Sequence, residues 1–246
     1  DLELFRALCA DLMASTRHFS KSDEPEAFKV VLARLARWQR LLSERRSVLL
    51  SKNEQLGLFG ELLILREVFM TRADPLTALN AWQGPSGAEQ DFLLEGWLLE
   101  SKAQMASSDG VLHISSADQL DLVSGQIVVV HQVFTVTDDE DGGARTLNTL
   151  AGELRDHIIK TQPFAVDLFE ARLIEARYQN HEEYDLEYLE LTSRVCFEVM
   201  DEFPRISASD LAAGIKNVRY QVAAEALTDF EREENEIMRR IFDASG

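Results

Sequence analysis

The sequence predicts a mixed α/β fold, a mixed β-sheet flanked by helices, and three observations carry the prediction. Apolar residues recur at helical spacing before residue 70 and again over 147–176. Short runs of strand character cluster between 91 and 136, and Gly, Pro, Asp and Ser punctuate the changes of period. The 246 residues allow one large domain or a core with appendages. With 46% hydrophobic and 28% charged residues, collagen-like, disulfide-framework and wholly disordered classes are excluded.

Residues 1–17 carry Leu2, Phe5, Leu8, Cys9 and Leu12 at helical spacing. A second helix is expected from a cap at Ser22–Asp23 to about Arg46, with Val30, Val31, Leu35, Trp38, Leu41 and Leu42 on one face. Its other face holds Arg34, Arg37, Arg40, Arg45 and Arg46, read as a solvated surface, with a phosphate-facing stripe as the alternative. A third helix opens near Ser51 or Asn53 and runs to about Met70. Asp74-Pro75 and Gly84-Pro85-Ser86-Gly87 then bracket a short segment at Leu79–Trp82.

Strands follow at 91–94 and 97–103, joined by Glu95-Gly96 as a tight hairpin, then at Val111–Ile114. Ser115 and Ser116 are candidate caps for a short helix carrying Gln119. Gln126–Val136 is β-branched and opens on a wholly apolar run, as a strand covered on both faces should. The acidic break Asp138–Gly143 marks a boundary. Beyond it, Leu147–Lys160 and Pro163–Ala176 read as helices, Tyr188–Val199 and Val218–Val222 as strands, and Thr228–Phe242 as a final helix. The expected organisation is therefore an N-terminal helical segment (1–52), a core (53–137) and a C-terminal α+β region packed on it (144–246).

No apolar stretch approaches the roughly 18 residues a membrane span requires, and the N-terminus lacks the basic head and apolar run of a signal peptide. Cys9 and Cys196 lack metal or redox spacing and are expected to be reduced thiols, which together with the missing leader places the protein in the cytoplasm. The absence of an initiator Met suggests a natural start further upstream. Net charge is −18, unevenly spread: residues 1–52 hold 10 Lys/Arg against 7 Asp/Glu, and residues 53–246 hold 15 against 36. Bulk attraction to nucleic acid is excluded, so a polyanion surface would have to be local. Zinc spacings, Ser-His-Asp order and phosphate-binding glycine loops are missing. His113 and His131 are read as hydrogen-bonding groups; Trp38, Trp82 and Trp97 as core or interface anchors.

The hairpin carries the chemistry. With the turn at Glu95-Gly96, paired positions sum to 191 and Asp91 lies opposite Glu100. Directly opposed carboxylates repel unless a proton or a divalent cation is shared between them. Strand alternation puts Lys102 on the face of Glu100, so Asp91, Glu100 and Lys102 converge, while Phe92, Leu94, Trp97 and Leu99 form an apolar face suited to a covering helix. Glu61, within the apolar run GLFGELLIL, is costly to bury unless paired or metal-bound. Gly57 and Gly60 lie on the turn that carries it, as close approach of that helix to the sheet would require.

Asp91, eight intervening residues and then Glu100-Ser101-Lys102 resembles the D…(D/E)-x-K signature of the PD-(D/E)XK nuclease superfamily. Glu61 resembles the helix-borne glutamate many members set beside the site, and Gln119 the glutamine several branches carry. The ordered blocks GLFGEL, W-x-G-P-x-G-x-x-x-D-F, E-x-K-A and I-S-S-x-x-Q-L, over about 56–122, are similar to a prokaryotic family of PD-(D/E)XK motif proteins found with restriction-modification or phage-defence genes. Two departures stand out: Gln90 instead of proline precedes Asp91, and the run 111–114 intervenes before Gln119.

The resemblance implies a restriction-endonuclease-like core and Mg²⁺-dependent hydrolysis of DNA phosphodiesters, with Mn²⁺ as a substitute. Asp91 and Glu100, with the Ser101 carbonyl and Glu61, would hold the metal, Lys102 would be catalytic, and Gln119 would bind DNA or support the site. A homodimer or the subunits of a defence complex are the partners it allows. Two other readings stay open: a catalytically inactive binding or assembly subunit with the same fold, and an acidic protein that mimics nucleic acid.

Overall fold

The computed structural model describes residues 2–17, 19–20, 24–44, 49–122, 125–138 and 143–243. The chain divides into two compact units, Asp1–Leu49 and Leu50–Gly246.

The first unit is a pair of helices, α1 (Leu2–Thr16) and α2 (Glu24–Glu44). Asp11 joins them: one carboxylate oxygen accepts from the indole N–H of buried Trp38 at 3.0 Å, and the other pairs with Arg34 at 3.1 Å. Arg34 of the expected solvated face is thus an inter-helix tie. The cap at Ser22–Asp23, Arg45 and Arg46 lie outside the described residues, as do the side chains of Arg40, Leu41 and Leu42 and positions 139–142 of the acidic break.

The second unit is built on a five-stranded mixed sheet. Its strands are β1 (Phe92–Leu94), β2 (Trp97–Met105), β4 (Gln126–Thr137), β5 (Tyr188–Val199) and β7 (Glu231–Arg232), in the order β1-β2-β4-β5-β7. β1 and β2 form the hairpin in the expected register, Phe92 opposite Leu99 and Leu94 opposite Trp97. β2 runs parallel to β4, setting Glu100 beside Val129 and Lys102 beside His131, and β5 is antiparallel to β4 along its length. Ile127–Val130 is fully buried, which accounts for its unbroken apolar run. The intervening strand β3 (Val111–Ile114) pairs with β6 (Tyr220–Ala223) as a second, two-stranded sheet. The pair covers one face of the main sheet, where Leu112, Ile114 and Val222 pack with Leu98, Val129 and Phe197.

Helix α3 (Lys52–Ile64) covers the opposite face. Ser51 and Glu54 start it as a reciprocal capping box, and a π-helical turn at Leu65–Phe69 ends it. A Cβ on Gly60 would stand 2.9 Å from Ala103 Cβ, so the glycine lets helix backbone meet strand. Gly57 meets nothing within 4 Å, and the close approach expected of both glycines belongs to Gly60 alone. Phe69 stacks on Phe92 at 4.6 Å between centroids, confirming the apolar face of the hairpin. Between α3 and β1 lies α4 (Pro75–Ala81), capped by Asp74.

After the acidic break come α5 (Leu147–Thr161), α6 (Val166–Glu175) and α7 (Glu234–Asp243). The terminal helix expected from Thr228 begins later than the pattern suggests. Residues 224–230 form 3-10 turns, and Glu231–Arg232 instead pairs with β5. Glu233 then accepts the backbone N–H groups of Asn235 and Glu236, and its carboxylate supplies the start signal. Among the described residues no helix is long and apolar enough to cross a membrane.

Candidate active site

The site forms where α3, the 83–91 loop and the hairpin meet. Glu100 is 2% exposed, and its Oε1 pairs with Lys102 Nζ at 2.8 Å. Two-residue spacing on β2 puts both on one face, as expected. Asp91 closes the hairpin by accepting the Ser101 backbone N–H on Oδ2 at 2.7 Å. Glu61 arrives from α3, half-buried, with Oε2 accepting the indole N–H of Trp82 at 2.7 Å.

Gly84 shows how near these acids are. A Cβ there would lie 2.5 Å from Glu61 Oε2 and 2.9 Å from Asp91 Oδ1, so the bare backbone of the GPSG turn lines the gap between them. The N–H groups of Gln83 and Gly84 both donate to the Asp91 carbonyl, holding the turn against the strand.

Gln119 binds the other side. The Ser116 side chain caps its 3-10 turn (117–120). From there its Nε2 donates to Glu100 Oε1 at 2.9 Å, while its Oε1 accepts from Lys102 Nζ at 3.2 Å and from the Ser115 N–H at 2.9 Å. One carboxamide thereby fixes both carboxylate and ammonium. Gln90, standing where the superfamily pattern has proline, is buried and donates to the carbonyls of Asp118 and Gln119. It ties the residue preceding Asp91 to the turn that carries Gln119.

The electrostatics are unbalanced. Burial first, and the Asp91 charge second, push Glu100 up to about 8, against the opposing pull of Lys102. Burial raises Asp91 to about 6, although the Ser101 N–H and Lys102 favour its ionised form. Glu61 is held well above the usual carboxylate range by burial and by the Asp91 charge, despite the Trp82 bond. Asp91 and Glu100 thus share one ammonium in a poorly solvated corner, and Glu61 adds a third acid beside Asp91.

This donor set suits a hard divalent cation, which takes oxygen ligands and keeps some of its waters. Glu100 Oε2 is buried and has no hydrogen-bond partner, an acceptor missing its donor. As the side chains stand, no group of three His, Cys, Asp or Glu among the described residues closes on a single point as a finished cation cage. Lys102 occupies part of the charge-neutralising role at Glu100.

All five side chains singled out in the sequence, Glu61, Asp91, Glu100, Lys102 and Gln119, meet here. Three contributors have no sequence signal of their role in the site. Trp82 is wholly buried, as an anchor should be, but its N–H also holds Glu61, and nothing in sequence distinguishes those uses. Gly84 reads in sequence as turn punctuation, and Gln90 as a departure from a pattern. The histidines behave as expected: His131 is buried and bonded to Gln104, with its pKa lowered by burial, and His113 is exposed beside Gln221.

A family model described as "Putative PD-(D/E)XK family member, (DUF4420)" matches residues 1–225. No curated protein and no solved structure matches the chain.

Proposed function

The chain belongs to the family so described and has the helix-flanked mixed sheet of a restriction-endonuclease-like fold, and from that premise we propose that it is a divalent-metal-dependent endonuclease of restriction or defence type that hydrolyses phosphodiesters in DNA. The observation that carries this reading is the placing of Asp91 and Glu100 beside a single ammonium, Lys102, with Glu61 across Gly84 from Asp91, the carboxyls raised and one buried oxygen unpaired.

Asp91 and Glu100 would hold Mg²⁺, with Glu61 at its edge and the Ser101 carbonyl as a further oxygen ligand. Bound there, Mg²⁺ supplies Lewis acidity toward a phosphoryl oxygen and an attacking water. The remaining work falls to the protein. Lys102 Nζ, already aimed at the carboxylates, places its charge beside the scissile phosphate and offsets negative charge as it develops. Gln119 keeps Lys102 and Glu100 in register through one rigid amide. Trp82 and Ser101 do the same for Glu61 and Asp91, each with one N–H. Water attacks phosphorus, the bond to the leaving sugar oxygen breaks, and a proton passes to that oxygen. Cleavage of plasmid DNA with Mg²⁺ or Mn²⁺, methylated and unmethylated, is the direct test. Cutting that Lys102→Ala removes without unfolding the protein is the expected result. A folded wild type inert on all these substrates would overturn the reading.

The excess of acids over residues 53–246 favours a second reading, a non-catalytic subunit of a defence complex that uses the same fold for assembly. Under it, Lys102→Ala leaves biological activity unchanged.

A further inference from the structure

Most basic side chains of the second unit are spent on carboxylates: Arg66, Arg145, Arg155, Arg172, Arg177, Arg194, Arg232 and Arg240 all stand in ion pairs. The segment 204–219 is different. It holds Arg205, Lys216 and Arg219 against one acid, Asp210, and that acid is satisfied locally by the N–H and hydroxyl of Ser207. Lys216 and Arg219 are exposed and in no ion pair among the described residues. In a stretch carrying 36 acids against 15 bases, this is a local surplus of positive charge.

The fold delivers that surplus to the candidate active site. β3 and β6 pair antiparallel with Ile114 opposite Tyr220, so the chain leaving β3 at Ser115 and the chain entering β6 from Arg219 emerge at the same end. Ser115 and Ser116 lead straight into the turn that carries Gln119. Between the two lies a groove of about 530 Å³, walled on one side by Glu89, Ser116 and Asp118 and on the other by residues 211–218, Lys216 among them. The Ser116 hydroxyl donates to Glu89 at 2.7 Å and caps the turn whose Gln119 bonds to Glu100, so this wall of the groove is continuous with the turn that holds the site. The strand that interrupts the superfamily pattern, β3, is what anchors this wall.

We propose that the 204–219 segment is a DNA-backbone clamp, in which Lys216 and Arg219 hold phosphates flanking the one placed at Glu100 and Lys102. The acidic wall opposite confines those phosphates to the loop side. A local clamp also resolves how so acidic a chain approaches a polyanion: a few unpaired cations at the site, set against long-range repulsion that salt screens. The proposal takes its ligand from the nuclease reading, but it is tested by binding alone.

Fluorescence anisotropy in Ca²⁺, with a labelled duplex and its single strand, measures affinity for wild type and for Lys216→Glu/Arg219→Glu across a salt series. The pair Lys160→Glu/Arg239→Glu, which changes net charge equally on α5 and α7, controls for bulk electrostatics. We expect the clamp variant to lose about tenfold or more in affinity and the log–log salt slope to shrink by about two, as for two lost phosphate contacts. The control should change affinity by less than about threefold, its charges being exposed, outside the groove lining and screened by salt. Equal binding by wild type and clamp variant, equal losses in clamp variant and control, or no wild-type binding at low salt each overturns the clamp. If wild type cuts DNA but the clamp variant binds as tightly, the clamp fails and the nuclease reading stands. If the clamp variant loses binding while wild type never cuts, the reverse holds.

Discussion

Two glutamates of the same sheet show what separates the site from its scaffold. Glu198, on β5, faces Arg232 at 3.0 Å and Arg240 at 2.6 Å, and hydrogen bonds from those arginines hold its carboxyl below the usual range. Glu100, on β2, faces one lysine and neighbouring acids, and its carboxyl is pushed up to about 8. Beside Glu198 the pattern repeats: Arg194 is shared by Glu67 at 2.8 Å and Glu234 at 3.5 Å, and Gln132 adds a further contact. Where the chain needs only to fold, it matches buried charge with charge. At Glu100 it leaves a deficit of cations, and such a deficit costs stability unless something outside the chain completes it.

The sharpest way to break this comparison is to remove the cation from each region. Lys102→Ala should lower Mg²⁺-dependent cleavage by about a thousandfold or more, as for loss of a group acting on transition-state charge, with little change in melting temperature below about pH 8, where Glu100 takes up a proton instead of standing as an unpaired charge. Arg194→Ala should instead destabilise by about 1–2 kcal/mol, because a largely buried guanidinium is lost while Glu67 and Glu234, at 31% and 32% exposure, are left to water, with cleavage per folded molecule largely kept at low temperature. Rates and denaturant midpoints on both variants decide it. Were Lys102→Ala the more destabilising of the two, the scaffold and the site would have been assigned the wrong way round.

Substitution at the turn comes next in size. Gly84→Ala places a methyl 2.5 Å from Glu61 Oε2 and 2.9 Å from Asp91 Oδ1. Because the backbone there is anchored to the Asp91 carbonyl, the acids must give way, and Mn²⁺ affinity measured by calorimetry should fall by about a hundredfold, at the upper end of what displaced metal-site neighbours cost. Alanine at Gly57, which meets nothing within 4 Å, should leave affinity unchanged.

Titration sharpens the contrast further, since the two regions respond to pH with opposite signs. A carboxyl raised in the folded state stabilises while protonated, and that contribution disappears as pH climbs through about 6 for Asp91 and about 8 for Glu100. Glu198, lowered, stabilises while ionised and loses its contribution as pH falls below the ordinary carboxylate range. The metal-free melting temperature should therefore decline from about pH 5, where the unfolded carboxyls are already ionised, to about pH 8, with Glu100→Gln flattening the decline and Glu198→Gln leaving its slope intact. Mg²⁺ should restore stability at the upper end of the window and do little at the lower. A metal-free curve that rises across the window would remove the case for strained acids.

How much of this was readable in advance follows the same division. The hairpin register, and with it the meeting of Asp91, Glu100 and Lys102, follows from a two-residue turn and the two-residue period of a strand, both local rules. Glu61 announced itself as a charge in an apolar helix run, and Gln119 by its place in an ordered set of blocks. The pairing of β3 with β6 spans more than a hundred residues and was invisible to any local rule, so the groove beside the site was too. The Glu231–Arg232 strand was likewise hidden, because a charged two-residue edge strand has no periodicity to distinguish it from the helix that follows. Tertiary pairing decided both.

Gln90 tests the smallest increment of the comparison, a neutral hydrogen bond one step removed from the charges. Its amide donates to two carbonyls of the Gln119 turn, so Gln90→Leu keeps the bulk and the burial but frees that turn from the strand bearing Asp91. Metal affinity should fall by about tenfold, the lower end for residues that orient metal ligands, and the loss of two part-buried hydrogen bonds should lower stability by about 1 kcal/mol. Gln90→Glu cannot donate and should fail to rescue the affinity, whereas Gln119→Leu, which strips Glu100 and Lys102 of their shared amide directly, should cost more than either. Should Gln90→Leu match wild type in Mn²⁺ affinity while losing the same stability, its bonds belong to the scaffold alone, and the departure from proline before Asp91 carries no consequence for the site.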